Sequence, residues 1–233
     1  CLFFTPGKAQ QLSVMTLRNG ATVYIWEDKS KPDVFGMIAF KVGSVDDPEQ
    51  YTGLAHYLEH VMFKGTQTID ALDWEKEKPI YEKIIAKYDE RAALSDPAAR
   101  EAVDKEINDL TREAAQYAAG NEFSLLVDHM GGQGLNASTG YDQTEYHNSF
   151  PPSQLEKWLE IYSERLIDPV FRGFQTELEA VYEEYNMYND DRGSRMREFI
   201  YEQAFGDHPY ARPIIGLPEH LKNPQLSKLI DFY

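Results

Sequence analysis

Two histidines one helical turn apart, with a glutamate just before the second, constrain this chain more than any other feature. They sit in Gly53-Leu54-Ala55-His56-Tyr57-Leu58-Glu59-His60. The pattern predicts a helix from about Thr52 to Phe63, with Thr52 as its N-cap. On a helix, residues i and i+4 share a face, so His56 and His60 can point at one metal ion. Glu59 lies beside them. Two neutral imidazoles with a carboxylate suit zinc, and a catalytic zinc site keeps one position for water. Glu59 is then the candidate general base toward that water. With six histidines in the chain, chance supplies only about 0.015 copies of a His-x-x-Glu-His pattern, which is a known inverted zinc motif. That rarity weighs against the plainer reading of two half-buried histidines with a salt-bridging glutamate.

Composition narrows the remaining choices. The 233 residues hold 23 Lys and Arg against 39 Asp and Glu, a formal charge of −16. Such a surface repels phosphate backbones and argues against a nucleic-acid partner. No apolar run approaches the ~18 residues of a membrane span, so no transmembrane segment is expected. A hydrophobic share of 42% and an aromatic share of 13% support a packed core. The single cysteine, Cys1, excludes a cysteine zinc site. Histidines and carboxylates must therefore supply any third ligand. Helix 176–184 (Thr-Glu-Leu-Glu-Ala-Val-Tyr-Glu-Glu) offers two pairs. Glu177 and Glu184 lie seven apart on one face, with Val181 between them pointing inward; Glu179 and Glu183 form a second pair on another face. Spacing alone does not choose between them. His129, His147, His208 and His220 stand singly and read as structural.

The chain begins with hairpin signals. Residues 12–17 and 21–26 alternate apolar side chains around Arg18-Asn19-Gly20. Residues 34–42 read as a third, more buried strand. From Trp74 to Gly120 the composition turns to Ala, Glu, Lys, Asp and Arg. Ile80, Ile84 and Tyr88 form one stripe; Val103, Ile107, Leu110, Ala114 and Tyr117 form another at heptad spacing. Ser95-Asp96-Pro97 between them marks a turn and a helix start. Residues 74–120 are expected to be an antiparallel helical hairpin inserted as a packed surface arm. A short helix follows at 122–130, then strands at 135–139 and 144–150, and helices at 153–167, 174–190 and 193–205. Residues 207–223 read as a Pro-rich loop and 224–233 as a last helix. Strands followed by runs of helices argue α+β: a two-layer domain whose mostly antiparallel sheet is covered by helices on one face. Residues 1–10 resemble the remnant of a signal peptide or a flexible start. This points to a periplasmic or secreted location, with the cytoplasm as the alternative.

The sequence resembles the pitrilysin and insulinase family of zinc metallopeptidases, which includes the mitochondrial processing peptidase. The motif helix with Met62-Phe63-Lys64-Gly65-Thr66 carries this resemblance, together with Gly131-Gly132, Asn136-Ala137-Ser138-Thr139, the 177–184 segment, His208-Pro209-Tyr210 and Pro213-Ile214-Ile215-Gly216. The resemblance implies that His56, His60 and Glu184 bind zinc, that Glu59 activates water, and that Glu177 is an essential supporting carboxylate. It implies that Asn136 and Ala137 lie on an edge strand to which a peptide substrate adds in extended form. His60 and Glu184 stand 124 residues apart, a longer gap than the family's, and the 74–120 hairpin accounts for the excess. Family members carry a second homologous half. Residues 11–233 therefore read as an N-terminal peptidase domain truncated at its C-terminus, its other half fused or supplied by a separate subunit. The expected function is that of a zinc-dependent metalloendopeptidase. The alternative is a non-catalytic homologous subunit or peptide-binding scaffold.

Overall fold

A computed structural model describes residues 12–233; the expectation for residues 1–10 lies outside the described part. Strands β1 (Leu12–Thr16) and β2 (Thr22–Trp26) pair antiparallel, with Leu12 opposite Trp26. Gly20 supplies the positive φ of the turn at +89°. Strands β3 (Val34–Phe40), β4 (Gln133–Thr139) and β5 (Thr144–Phe150) form a separate antiparallel sheet in the order β3-β5-β4. This makes β5 the central strand and leaves β4 on an edge.

The sheet has one buried face. Thr144, Tyr146, Asn148 and Phe150 of β5 point inward with the period of two that a half-buried strand requires. Asn148 lies fully inside, and its Oδ1 accepts from Trp158 Nε1 and Tyr162 Oη, both at 2.7 Å. The third strand is more buried than β1 and β2, as expected, but on one face only. In β3 only Gly36 is buried, while Phe35 and Met37 on the outer face are 60% and 43% exposed. An apolar run cannot by itself tell a strand covered on two faces from one covered on one. Gly36 marks the covered side: a Cβ there would meet the rings of Phe150 and Trp158 at 2.7 Å.

Helix α1 (Leu54–Val61) carries the paired histidines and packs on β4, β5 and helix α6 (Phe174–Asp190). Helices α2 (Trp74–Ala93) and α3 (Pro97–Ala114) form the expected hairpin, with Pro97 in the first turn of α3 and Asp96 capping it. Both predicted stripes are buried, at Ile80, Ile84 and Tyr88 and at Val103 and Ile107. The two helices are not equivalent. Helix α2 is the inner layer: Tyr88 packs edge-on against Phe174 and donates to Gln175 Oε1 at 3.2 Å, and α2 also contacts helix α9 (Leu226–Phe232). Phe174 in turn touches Tyr57 of α1, whose hydroxyl donates to the Phe174 carbonyl. The arm is thus coupled to the motif helix through one shared ring.

Helices α4 (Glu122–His129), α5 (Leu155–Arg165) and α7 (Arg192–Phe205) stand close to the expected spans. A short helix, α8 (Pro218–Leu221), interrupts the expected 207–223 loop. Among the described residues no helix is long and apolar enough to cross a membrane.

Candidate metal centre

The N-terminus of α1 is built differently from expectation. Gly53, at φ +89°, occupies the cap position, and Thr52 does not cap the helix. Asp47 reaches in from the preceding loop, accepting from Gly53 N at 2.7 Å and Ala55 N at 2.9 Å. Thr52 is used elsewhere: its Oγ1 lies 2.8 Å from His220 Nδ1 and accepts from Leu217 N at 2.9 Å. A carboxylate beside two free helix N–H groups satisfies them better than a hydroxyl can. A side chain six residues before the cap is invisible to a local capping rule. No side chain fits at the cap, because a Cβ on Gly53 would lie 2.6 Å from the Ile215 carbonyl oxygen.

His56 and His60 of α1 lie side by side with ring centroids 4.8 Å apart, and His56 lines a cleft with Glu59 and Glu184. Glu184 of α6 meets both: its Oε2 is 3.6 Å from His56 Nε2 and 3.5 Å from His60 Nε2. Of the two glutamate pairs left open, the one that includes Glu184 lies at the histidines. Glu177 also faces the site, its Oε2 lying 3.5 Å from His60 Nδ1, and Val181 between them is fully buried. Glu179 turns away and accepts from Gln175 Nε2 at 3.1 Å on an exposed surface.

Glu59 is buried, and its Oε2 accepts from Thr139 Oγ1 at 2.5 Å. Burial raises its carboxyl above the ordinary range, opposed by the Thr139 hydrogen bond. His56 is pushed down to about 4 by burial and by the charge of His60. For His60 burial acts downward too, but hydrogen bonds to Glu177 and Glu184, joined by the Glu59 charge, outweigh it and raise the ring to about 9. Glu177 and Glu184 are both held low, chiefly by their hydrogen bonds to His60. Three carboxylates around two imidazoles leave the cluster short of positive charge, which favours the charged form of His60.

The donor set fits zinc. Ligand atoms ~2.0–2.2 Å from a tetrahedral zinc stand about 3.4 Å apart, close to the 3.5 and 3.6 Å found here. One ligand atom from each of His56, His60 and Glu184 falls within a 4.8 Å group. Glu177 lies against the far nitrogen of His60, a position from which an outer carboxylate can fix a ligand imidazole's tautomer.

Ala137 lines the cleft with Thr139, whereas Asn136 is exposed on the other face of β4, its Cα paired with His147. The two residues expected to act together thus point to opposite sides of one edge strand. Sequence reading missed three supporting residues. Lys64 pairs with Glu177 at 2.6 Å, Thr139 holds Glu59, and Tyr188 hydrogen-bonds Glu184. Each had a signal: Lys64 and Tyr188 follow a site residue by four, and Thr139 follows Ala137 by two.

Comparison with known proteins agrees with this geometry. The family model described as insulinase (peptidase family M16) matches residues 22–78 and 101–217. An uncharacterized zinc protease of Mycobacterium leprae is 25% identical over 82% of this chain and 32% of its own length. The zinc protease PqqE of Helicobacter pylori is 25% identical over 94% of this chain and 39% of its own. Among solved structures, a protease from Helicobacter pylori superposes with a TM-score of 0.69 at 22% identity, over 96% of this chain and 42% of that one. Pitrilysin superposes with a TM-score of 0.66 at 22% identity, over 97% of this chain and 20% of its own. The chain spans about a third of the length of the first relatives it matches. The unmatched residues 79–100 fall in α2, the turn after it and the start of α3, away from the metal cluster. Since the matched segments hold both histidines, Glu59, Glu177 and Glu184, the chain belongs to the insulinase family of zinc peptidases, peptidase family M16.

Proposed function

We propose that this chain is the zinc-holding catalytic segment of a metalloendopeptidase that cleaves peptides bound in extended form. One observation carries the reading: the buried Glu59 lines the same cleft as His56 and Glu184, which group with His60 as possible metal donors. His56, His60 and Glu184 would hold the metal, and Glu177 would orient His60. When bound, zinc supplies Lewis acidity toward a scissile carbonyl. Glu59 takes a proton from the attacking water and returns it to the leaving amine, while Thr139 fixes its rotamer. Burial raises the Glu59 carboxyl, which suits a group that must both accept and release a proton. The peptide pairs with the free edge of β4, where main-chain hydrogen bonds accept any sequence. The relatives' greater length supports a second homologous half that closes over the cleft and completes oxyanion stabilisation.

The test separates the two roles. Glu59→Gln should retain stoichiometric zinc by metal analysis and lose turnover of an unstructured peptide by about 10²–10⁴-fold. Loss of zinc in that variant would make Glu59 a ligand and sink the assignment.

A further inference from the structure

Helix α7 borders the cleft, and the reading above leaves its inward face unused. Ser194, Arg197 and Glu198 line the cleft, which measures about 300 Å³. The helix is capped at its N-terminus and packed at its C-terminal end. Ser194 N donates to Asp191 Oδ2 at 2.7 Å. At the other end Tyr201 stacks on Tyr141, with centroids 5.3 Å apart and planes 10° apart, and Phe205 meets Tyr210 edge-on at 5.1 Å. Tyr210 Oη donates to Asp142 Oδ2 at 2.6 Å, which ties this aromatic group to the β4–β5 turn. Arg197 and Glu198 therefore sit on a braced mount rather than a loose loop.

Arg197 is the only Lys or Arg among the described residues that line the cleft. No hydrogen bond or ion pair within 4.0 Å engages it among the described residues, although Tyr141, Tyr188, Asp191 and Glu198 feel its charge. Glu198 does not neutralise it, because adjacent helix residues do not face each other. A guanidinium presents a planar fork of donors that matches a carboxylate. This one lines the same cleft as residues Ala137, Ser138 and Thr139 of β4.

We propose that Arg197 is a specificity residue that recognises a carboxylate of the bound peptide, either an acidic side chain or the C-terminal carboxylate. This rests on the reading that peptides lie along β4. The neighbouring carboxylates give the prediction its edge: a peptide selected by Glu59, Glu184 and Glu198 alone would prefer basic residues, whereas Arg197 selects the opposite charge.

Anisotropy of dye-labelled peptides binding to the zinc-loaded Glu59→Gln chain tests this without turnover. The peptides differ only by Asp against Asn at one scanned position, each as a free acid or an amide. At least one pair should differ roughly ten-fold in affinity in favour of the carboxylate. The position or terminus at which the difference falls identifies the source. In Arg197→Gln the difference should vanish, and Arg197→Glu should reverse it toward the uncharged member of the pair. Melting temperature and zinc content report folding, and Arg197→Gln is the variant least able to disturb it. A carboxylate preference that survives Arg197→Gln, or equal binding of every pair, overturns the proposal while neutral peptides still bind. Failure of all peptides to bind, neutral ones included, overturns the peptide-binding reading as well.

Discussion

Two clusters of charge near the start of α6 solve opposite problems. Glu77 and Arg172 form a closed pair: Arg172 Nε and Nη2 meet the two Glu77 oxygens at 2.6 and 2.8 Å, with Glu77 1% exposed. The remaining Arg172 donor reaches the carbonyls of Lys64 and Ile69 at 3.2 and 3.4 Å. Every charge there has its partner within the chain. The cluster of His56, His60, Glu59, Glu177 and Glu184 has one lysine against three carboxylates, and His56, Glu59 and Glu184 line the cleft. A self-satisfied buried pair specifies packing; a cluster lacking positive charge is a place for a cation. Burial of charge therefore does not mark function in this molecule, but incomplete pairing does.

The largest effect should fall on the closed pair. Arg172→Ala leaves Glu77 buried and unpaired, and should cost about 3–5 kcal/mol of stability by urea unfolding. Replacing both residues with apolar groups of similar volume should recover most of that loss. If the single variant costs under about 1 kcal/mol, water reaches Glu77 and the contrast with the open cluster fails.

In the open cluster the same kind of change should move metal affinity rather than stability. Glu184→Gln removes a donor and should weaken zinc by more than the ~10–100-fold typical of an outer-shell loss, whereas Glu177→Gln should fall within that range. A competitive chelator titration ranks them. Equal losses would erase the distinction between ligand and support, and a larger loss in Glu183→Gln would mean that α6 is rotated from the register seen here.

This contrast also explains what could be read from the sequence. The metal cluster was legible because helical periodicity is local: His56 and His60 are four apart, and Glu177, Val181 and Glu184 share one face. The hairpin stripes were legible for the same reason. The Glu77–Arg172 pair was not, because it joins residues 95 apart that carry no pattern. Arg165 was equally hidden. It is 1% exposed, its Nε donates to the Met62 carbonyl at 3.0 Å, and its guanidinium sits 4.3–4.6 Å from the rings of Phe63, Phe123 and Tyr146. An isolated arginine in a sequence reads as surface. The choice of Glu184 over Glu183, and the role of Glu177, rested on family resemblance, since spacing left two pairs open. The outward turn of Asn136 could not be read from that resemblance, which names residues but not the face each one occupies.

Asp47 stands between the two clusters, buried and bonded to helix N–H groups rather than closely paired with a cation. Burial raises its carboxyl from 3.8 to about 6, against the downward pull of the Ala55 and Gly53 N–H groups and Arg212. With the folded value above the unfolded one, the native state holds this proton more tightly. The contribution to stability is thus complete below about pH 4 and declines as pH rises through about 6. Asp47→Asn keeps one acceptor at the α1 N-terminus without the charge. It should change stability by about 1 kcal/mol near pH 7, the smallest effect argued here, and flatten the profile between pH 4 and 6. Urea unfolding of both proteins across that range measures the difference. Parallel profiles would show that the N–H groups of α1 fully compensate burial, placing Asp47 with the closed pair. A difference that builds across that window and persists above it would show that a helix N-terminus satisfies a buried carboxylate's hydrogen bonds without neutralising its charge.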